Sequence, residues 1–131
     1  MCLKDIKPST VPSIIGYKLV RRAPNKVYMG LYAGLFTEEP TYKLNETCIS
    51  GHFIGGREKA DSYTPGFHVY DSLKSAQIIY ERVNSGDIIA YGSPVIVKVL
   101  LEEIHTEGYD RYIGNYQLCY VGNKQTIIEE V

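Results

Sequence analysis

The chain has 131 residues, 44% of them hydrophobic and 22% charged, and it carries a net charge of −1. This length and hydrophobic content exclude a globally disordered chain and predict one domain with a buried core. The balanced charge argues against a protein that coats nucleic acid, so we do not expect nucleic acid as a partner.

The cysteines and the apolar stretches indicate the compartment. Cys2, Cys48 and Cys119 are odd in number and widely spaced, which does not suit a disulfide framework and favours a reducing environment. The N-terminus lacks the apolar core of a secretory signal, and no stretch approaches the length of a membrane span. We therefore expect a cytoplasmic protein with no membrane partner.

The first predicted elements are an arm and a hairpin. Residues 1–13 are polar and contain Pro8 and Pro12, so we expect a flexible arm ahead of a single domain formed by residues 14–131. Residues 14–22 and 27–36 have the β-branched and aromatic content of strands. Because a turn sequence separates them, they are predicted to pair as a hairpin.

The middle of the chain is the least regular part. Residues 42–49 fit a short strand. Residues 51–64 contain three glycines and few apolar side chains, which predicts a long loop. Long loops in compact domains are usually functional or mobile, and a lid carrying Arg57 and a plain surface loop are both compatible with this segment.

Residues 65–86 give the clearest local pattern. Phe67, Val69 and Tyr70 follow a Pro-Gly turn and predict a short strand. A helix over residues 72–84 is predicted next, because Asp71 or Ser72 can cap it and apolar residues recur at helical spacing. The expected buried face of that helix consists of Leu73, Ala76, Tyr80 and Val83.

The C-terminal third is predicted to consist of strands separated by polar stretches. Residues 94–104 form a near-continuous apolar run, which indicates a central strand buried on both faces. Residues 105–114 are polar and predict a loop, and residues 116–121 and 124–131 predict a hairpin that turns at Gly122 and Asn123. These elements predict an α+β fold, with a mostly antiparallel β-sheet core and one main helix.

Metal and cysteine chemistry have weak support. Cys48 and His52 have metal-ligand spacing, and His68 and His105 are further donors, but zinc sites need more than one local pair, so no metal site is expected. Cys119 falls inside a predicted strand and is interpreted as a buried structural thiol.

His68 is the strongest candidate for a binding residue. It alternates with Phe67 and Val69 along the strand that enters the helix, so it faces away from them, on the same side as Tyr70. Ser75 follows in the first helical turn, and these side chains are predicted to converge on one concave site. A neutral imidazole both donates and accepts, which suits a carboxamide or the edge of a base. The alternative is a histidine satisfied by backbone contacts.

Residues 66–76, GFHVYDSLKSA, followed by Tyr80, resemble the G-[IL]-Y-F-A-(D)-x-x-S-K-S-A segment of poly(ADP-ribose) polymerase-type ADP-ribosyltransferases. His68 falls where that family has its pocket Tyr, and Ser75 falls on the pocket Ser, with one residue missing between them. Residues 94–103 resemble the apolar strand that follows in the family, and residues 115–121, NYQLCYV, resemble its E-Y-I-V-Y strand.

This resemblance implies an ADP-ribosyltransferase-like fold with a cleft that binds NAD or a related nucleotide. The implied lining residues are His68, Tyr70, Ser75, Tyr32 and Arg21, the last two standing nearest to the family's first-strand His. Asn115 occupies the position of the family's Glu, and an amide carries no charge to stabilise an oxocarbenium ion. If the domain is catalytic, Glu103 or Glu107 would have to replace that acid.

A second resemblance leads to a different class of function. The chain is similar to small phage and prophage proteins with a GYK…GFH pattern, here Gly16-Tyr17-Lys18, Gly66-Phe67-His68, Ala76 and Val97-Lys98-Val99. It implies a non-enzymatic accessory protein, located in the host cytoplasm, that binds a host protein through a Tyr-rich surface. The candidate tyrosines are Tyr109, Tyr112, Tyr116 and Tyr120. A deep polar pocket at His68 would favour a nucleotide site, and an exposed Tyr patch would favour a protein partner.

Overall fold

A computed structural model of the protein describes residues 3–23, 27–30, 41–49, 66–85, 94–112 and 115–131. Within these residues it contains eight strands and one helix. The elements are β1 (Leu3–Pro8), β2 (Ser13–Ala23), β3 (Val27–Gly30), β4 (Thr41–Lys43), β5 (Thr47–Ile49), β6 (Phe67–Tyr70), α1 (Leu73–Asn84), β7 (Pro94–Tyr112) and β8 (Asn115–Glu130). Every strand pairing described is antiparallel.

The predicted ADP-ribosyltransferase-like α+β class is wrong. The structure is a β-rich fold built on one antiparallel sheet, and the single helix described has 12 residues. The sequence underestimates the strand content because two polar stretches that look like breaks continue as strand. The sheet order is β1-β7-β8-β6-β2-β3-β4, and β5 pairs with β8.

The sheet closes on itself through its two longest strands. β7 pairs with β2 along its first half, and β8 pairs with β6, which in turn pairs with β2 through Tyr17 and Tyr70. Since β7 also pairs with β8, the four strands β2, β7, β8 and β6 form a ring of pairings. Strands of 19 and 16 residues make this possible, because each serves different neighbours along its two halves.

β7 continues through the predicted loop at residues 105–114 and ends at Tyr112. Thr106, Gly108 and Asp110 are buried, whereas Glu107 and Tyr109 between them are more exposed. This alternation is typical of a strand with one buried and one exposed face. Here the buried face contains polar side chains, which is why the segment looks like a loop in the sequence. The register shifts near Ile104, beside the positive φ of 52° at Glu103, which marks a β-bulge.

The predicted hairpin at Gly122 and Asn123 is absent from the described strands, because β8 runs without interruption from Asn115 to Glu130. Gly122 is needed for a close approach instead of a turn. A Cβ atom there would lie 2.6 Å from the carbonyl oxygen of Glu102 on β7. The glycine inside this strand therefore marks a close approach of two backbones.

The N-terminal segment is also a strand instead of a loose arm. β1 pairs with the second half of β7, and Leu3 is buried opposite Asp110. Its register shifts between Lys4 and Lys7, and Asp5 has a positive φ of 53°. The proline-containing sequence thus accommodates a bulged edge strand.

The first predicted hairpin is confirmed in its described part, because β2 and β3 pair from Val20 opposite Gly30 to Ala23 opposite Val27. Residues 31–36 of the predicted second strand and the predicted loop at residues 51–64 lie outside the described residues. The segment 42–49 forms β4 and β5 with a turn between them, in which Asn45 has a φ of 60°.

The helix prediction is confirmed. α1 begins after Ser72, whose side-chain oxygen accepts a hydrogen bond from the Ser75 backbone N–H at 3.2 Å. Ala76 and Ile79 are buried, and the other predicted face residues pack beside them. Ile79 was missing from the predicted face.

Two hydrophobic clusters stabilise the domain. The strand core contains Val20, Tyr28, Tyr42, Phe67, Val69, Val97, Val99, Leu101, Ile104 and Ile127. The helix core contains Leu3, Leu19, Tyr70, Ala76, Ile79, Ile96, Cys119 and Val121. Val97 and Val99 are completely buried, and β7 pairs with β1, β2 and β8, which confirms the predicted central strand. Lys98 and Leu100 are only half-buried, so the predicted burial on both faces is wrong for this part of the strand.

Candidate functional site

His68 lies on β6, between residues that belong to the strand core. Phe67 and Val69 are buried there, and His68 faces the opposite side, as strand alternation predicts. The ring is half-buried, and its Nδ1 atom lies 3.1 Å from the Gly66 carbonyl oxygen. Because a carbonyl only accepts, Nδ1 carries the proton in the neutral ring.

The charge state of His68 follows from its surroundings. Burial disfavours the imidazolium and lowers the pKa of His68 to about 3, and positive charge nearby, including that of Lys18, acts in the same direction. The bond to the Gly66 carbonyl opposes this shift but does not cancel it. His68 is therefore a neutral imidazole with a defined tautomer at physiological pH.

The Tyr70 side chain forms a hydrogen bond with a buried carboxyl group. Its hydroxyl donates to Asp110 Oδ2 at 2.5 Å, and both side chains are buried. Burial raises the pKa of Asp110, and the Tyr70 bond lowers it in part. This pair joins β6 to β7 across 40 residues of sequence, so it was not visible as a motif.

Cys119 belongs to the same cluster and is completely buried in the helix core. Its Sγ atom lies 3.5 Å from the Gln117 carbonyl oxygen. Burial, and then the negative charge of Asp110, raise the pKa of the thiol. The interpretation of Cys119 as a structural thiol is therefore confirmed.

Ser75 takes part in the start of the helix. Its hydroxyl lies 2.9 Å from Ser72 Oγ and donates to Asp71 Oδ1 at 3.4 Å. Ser75 is buried beside Ala76, so its polar atom is held by the cap. The structure therefore places the side chain predicted to line a pocket within the capping network.

Arg21 is remote from this region. Tyr17 is the residue of β2 that pairs with Tyr70, and Arg21 lies four residues further along, about 13 Å in an extended strand. Its Nη2 atom lies 3.3 Å from Met29 Sδ on β3. Tyr32 lies outside the described residues. Of the five predicted lining residues, Tyr70 and Ser75 lie at the start of the helix, His68 lies two residues before Tyr70 on the same side of β6, and Arg21 is apart from them.

His105 is a neighbour of His68 that the sequence analysis did not identify as one. Its Nδ1 atom lies 2.7 Å from Thr106 Oγ1, and its Nε2 atom lies 3.2 Å from the position that a Cβ of residue 66 would occupy. Gly66 therefore permits the imidazole of His105 to approach the strand that carries His68. No local pattern indicates this contact, because the polar residues 105–114 predict a loop, whereas β7 continues through them to Tyr112.

The two candidate replacement acids are in surface ion pairs. Glu103 Oε1 lies 3.9 Å from Lys124 Nζ, and Glu107 Oε2 lies 3.6 Å from Lys7 Nζ. Asn115 is described as a backbone position in β8, opposite Tyr112, and its side chain lies outside the description. The structure therefore places neither acid beside His68 through a described contact.

An exposed aromatic surface lies on the outer part of β7, β8 and β1. Tyr109 is 38% exposed and stands between Lys4 of β1 and Leu118 of β8, with which it is in register. Tyr120 is half-buried opposite Glu107, two pairs further along and therefore on the same face. We call this the Tyr109 surface, and it consists of Lys4, Lys7, Glu107, Tyr109, Leu118 and Tyr120. The side chains of Tyr112 and Tyr116 lie outside the description.

The edge beside the Tyr109 surface is poorly suited to accept another strand. β1 carries a bulge at Asp5, ends in Pro8 and presents Lys4 and Lys7. Bulges, prolines and lysines are the features that protect sheet edges from further pairing. A partner at this end of the sheet is therefore expected to contact the face, where Tyr109 lies.

Comparisons with protein-family models, with curated proteins and with solved structures found no match for this chain. Among the described residues, no helix combines the length and apolar character needed to cross a membrane. In the same part of the chain, no three His, Cys, Asp or Glu side chains are grouped as metal ligands. His52, the predicted partner of Cys48, lies outside the described residues.

Proposed function

We propose that this domain binds another protein through the Tyr109 surface. The observation that carries the proposal is the exposure of Tyr109 on a two-sided strand pair, with Leu118 and Tyr120 beside it. Tyrosine contributes a large, amphipathic contact area at a low cost in side-chain entropy, and it is enriched among residues that dominate interface energies. The exposed ring is therefore suited to act as the anchor of an interface.

The charges around Tyr109 suggest the chemistry of the partner. Lys4 and Lys7 are exposed, and Lys7 is paired with Glu107. The carboxylates of Glu107 and Asp71 both lie near Tyr120, so positive charge is concentrated at the Lys4 end and is not in excess over the whole surface. A complementary partner presents an apolar recess for Tyr109 with a carboxylate facing Lys4.

The structure behind the surface supports a rigid contact. Tyr109 shares β7 with Asp110, whose side chain points to the other face and accepts the Tyr70 hydroxyl. Leu3 of β1 packs in the helix core behind Lys4. A surface held by buried contacts loses little entropy on binding, which favours affinity. We propose a host protein as the first partner class to test, on the resemblance of the GYK…GFH pattern to phage and prophage proteins.

The proposal is tested by affinity capture from the native host with wild-type and variant proteins at equal concentration. Tyr109→Ala removes the anchor and is expected to weaken a stoichiometric partner by tenfold to a hundredfold, because anchor residues contribute more than 1 kcal/mol. Ile49→Ser is the matched control, since Ile49 is 70% exposed on β5, which pairs with the other half of β8. Both variants are expected to keep the wild-type melting temperature.

Capture of the same partner by wild type and by Tyr109→Ala would overturn the proposal. The competing hypothesis, a nucleotide site at His68, is measured in the same samples by calorimetric titration with NAD. Stoichiometric heat that His68→Gln abolishes and Tyr109→Ala retains would replace protein binding by nucleotide binding as the conclusion.

A further inference from the structure

Gln125 is an uncommon side chain in the strand core. It is 1% exposed and stands on β8 opposite the completely buried Leu101 of β7. Its Oε1 atom accepts a hydrogen bond from Lys18 Nζ at 3.1 Å. Its Nε2 atom is buried and has no acceptor within hydrogen-bonding distance among the described residues.

The orientation of the amide follows from Lys18. An ammonium group only donates, so the oxygen of Gln125 must face Lys18 and the NH₂ group must face away from it. Leaving a buried N–H donor without an acceptor costs about 1–3 kcal/mol. A core position that retains such a group against this cost is a candidate for recognition of something that supplies the acceptor.

Lys18 adds a positive charge to the same place. It lies on β2 opposite Val97, so it shares the face that forms the strand core. Its Nζ atom also lies 5.7 Å from the centroid of the Phe67 ring. The ring of Tyr42 packs edge-on against Phe67 at 5.8 Å, so the ring nearest to the ammonium group is backed by a second aromatic side chain.

We propose that Lys18 and Gln125 form a binding site for a small organic carboxylate. The carboxylate accepts from Gln125 Nε2, the ammonium group of Lys18 on the other side of the amide attracts the negative charge, and the apolar body of the ligand contacts Phe67 and Tyr42. A charged acceptor is favoured over a neutral one, because hydrogen bonds to charged groups are shorter and roughly twice as strong. The site is independent of the Tyr109 surface, which lies on the outer part of β7.

We place the entrance of the site at Lys18, because this is its less enclosed side. Lys18 and Cys48, which stands opposite Gln125 on β5, are half-buried, whereas Gln125 and Leu101 are enclosed. The carboxylate would therefore pass the ammonium group before it reaches the amide. This order suits an anion, because the positive charge attracts it at the entrance.

The test is a titration of the whole chain with sodium hexanoate against sodium chloride at equal ionic strength. Binding is expected to shift the side-chain NH₂ signals of Gln125 in a saturable way in a ¹H–¹⁵N NMR spectrum, and to raise the melting temperature. Gln125→Met keeps the volume but removes the donor, and it is expected to weaken hexanoate binding about tenfold or more. Without hexanoate the same variant should be as stable as wild type, or more stable.

Gln117→Met is the matched control, because Gln117 is also buried on β8 but stands opposite Asp110. It should keep the hexanoate response. Lys18→Met should lose that response, and if it fails to fold, Gln125→Met decides alone. Equal responses to hexanoate in wild type and Gln125→Met, equal responses to hexanoate and 1-hexanol, or no saturable shift at all would each overturn the proposal.

Discussion

The helix core and the strand core differ in whether their buried polar groups have hydrogen-bond partners. In the helix core, the Tyr70 hydroxyl and the Asp110 carboxyl satisfy each other, and Ser75 is held in the network that caps α1. In the strand core, Gln125 accepts from Lys18 but leaves its own N–H donor without an acceptor among the described residues. A satisfied network stabilises and positions its elements, whereas an incomplete one costs free energy and points to a role other than stability.

The largest effect is expected from a charge placed in the strand core. Val97→Asp or Val99→Asp would bury an unpaired carboxylate at a completely enclosed position. We expect a loss of more than about 4 kcal/mol in the free energy of unfolding, enough to unfold a domain of ordinary stability. Ile15→Asp, at a position that is 41% exposed on β2, is the control and should change stability by less than about 0.5 kcal/mol. Urea denaturation measures both, and a wild-type melting temperature for either Val variant would contradict the assignment.

The helix core is tested by breaking its polar pair. Tyr70→Phe removes the hydroxyl that donates to Asp110 and leaves a buried carboxyl without that bond. We expect a loss of about 3 kcal/mol, because an orphaned buried acceptor that can ionise costs more than a neutral one. Tyr28→Phe is the matched control, since the Tyr28 hydroxyl lies 3.5 Å from the exposed Glu130. If chemical denaturation shows equal losses for the two variants, Asp110 gains no special stabilisation from Tyr70.

His68 makes the stability of the domain depend on pH. Its pKa is about 3 in the folded protein and near 6.5 in the unfolded chain, so the unfolded state binds more protons between these values. Stability is therefore fully present well above pH 6.5 and falls as the pH decreases toward 3. From pH 6.5 to pH 5 we expect a loss of about 1.6 kcal/mol, because the unfolded histidine is already half-protonated at pH 6.5 and each full pH unit corresponds to about 1.4 kcal/mol.

The measurement is the free energy of unfolding across this pH range for wild type and His68→Gln. The variant removes the titrating group and should flatten the curve between pH 5 and pH 6.5. Asp110 does not mimic this effect, because a carboxyl whose folded pKa is raised by burial makes stability fall as the pH rises through its titration. Parallel curves for wild type and variant would contradict the buried neutral imidazole.

The smallest expected effect concerns the cap of α1. Ser72→Ala removes the oxygen that accepts from the Ser75 N–H and should cost about 1 kcal/mol in unfolding free energy. Ser72→Asp, which keeps an acceptor at the cap, is the control and should stay close to wild type. Loss of stability in both variants alike would show that packing of Ser72, and not capping, matters here.

Local patterns in the sequence were enough to predict the elements around His68. Ser72 and the helical spacing of Leu73, Ala76 and Tyr80 specify α1, and alternation specifies which side of β6 carries His68. These features depend on neighbours two to four residues apart, so they can be read without knowledge of the fold. The strand character at the start of β7 was equally clear, because residues 95–101 are β-branched or aliphatic except for Lys98.

Tertiary structure alone decided where the strands continue and which polar groups meet. Polar residues 105–112 and Gly122 look like breaks, yet pairing with β1, β6 and β8 satisfies their backbone groups and keeps them in strands. The bond between Tyr70 and Asp110 spans 40 positions, and the one between Lys18 and Gln125 spans 107. Such contacts exist because the sheet closes into a ring, and ring closure depends on how strands distant in sequence pair, which no local pattern encodes.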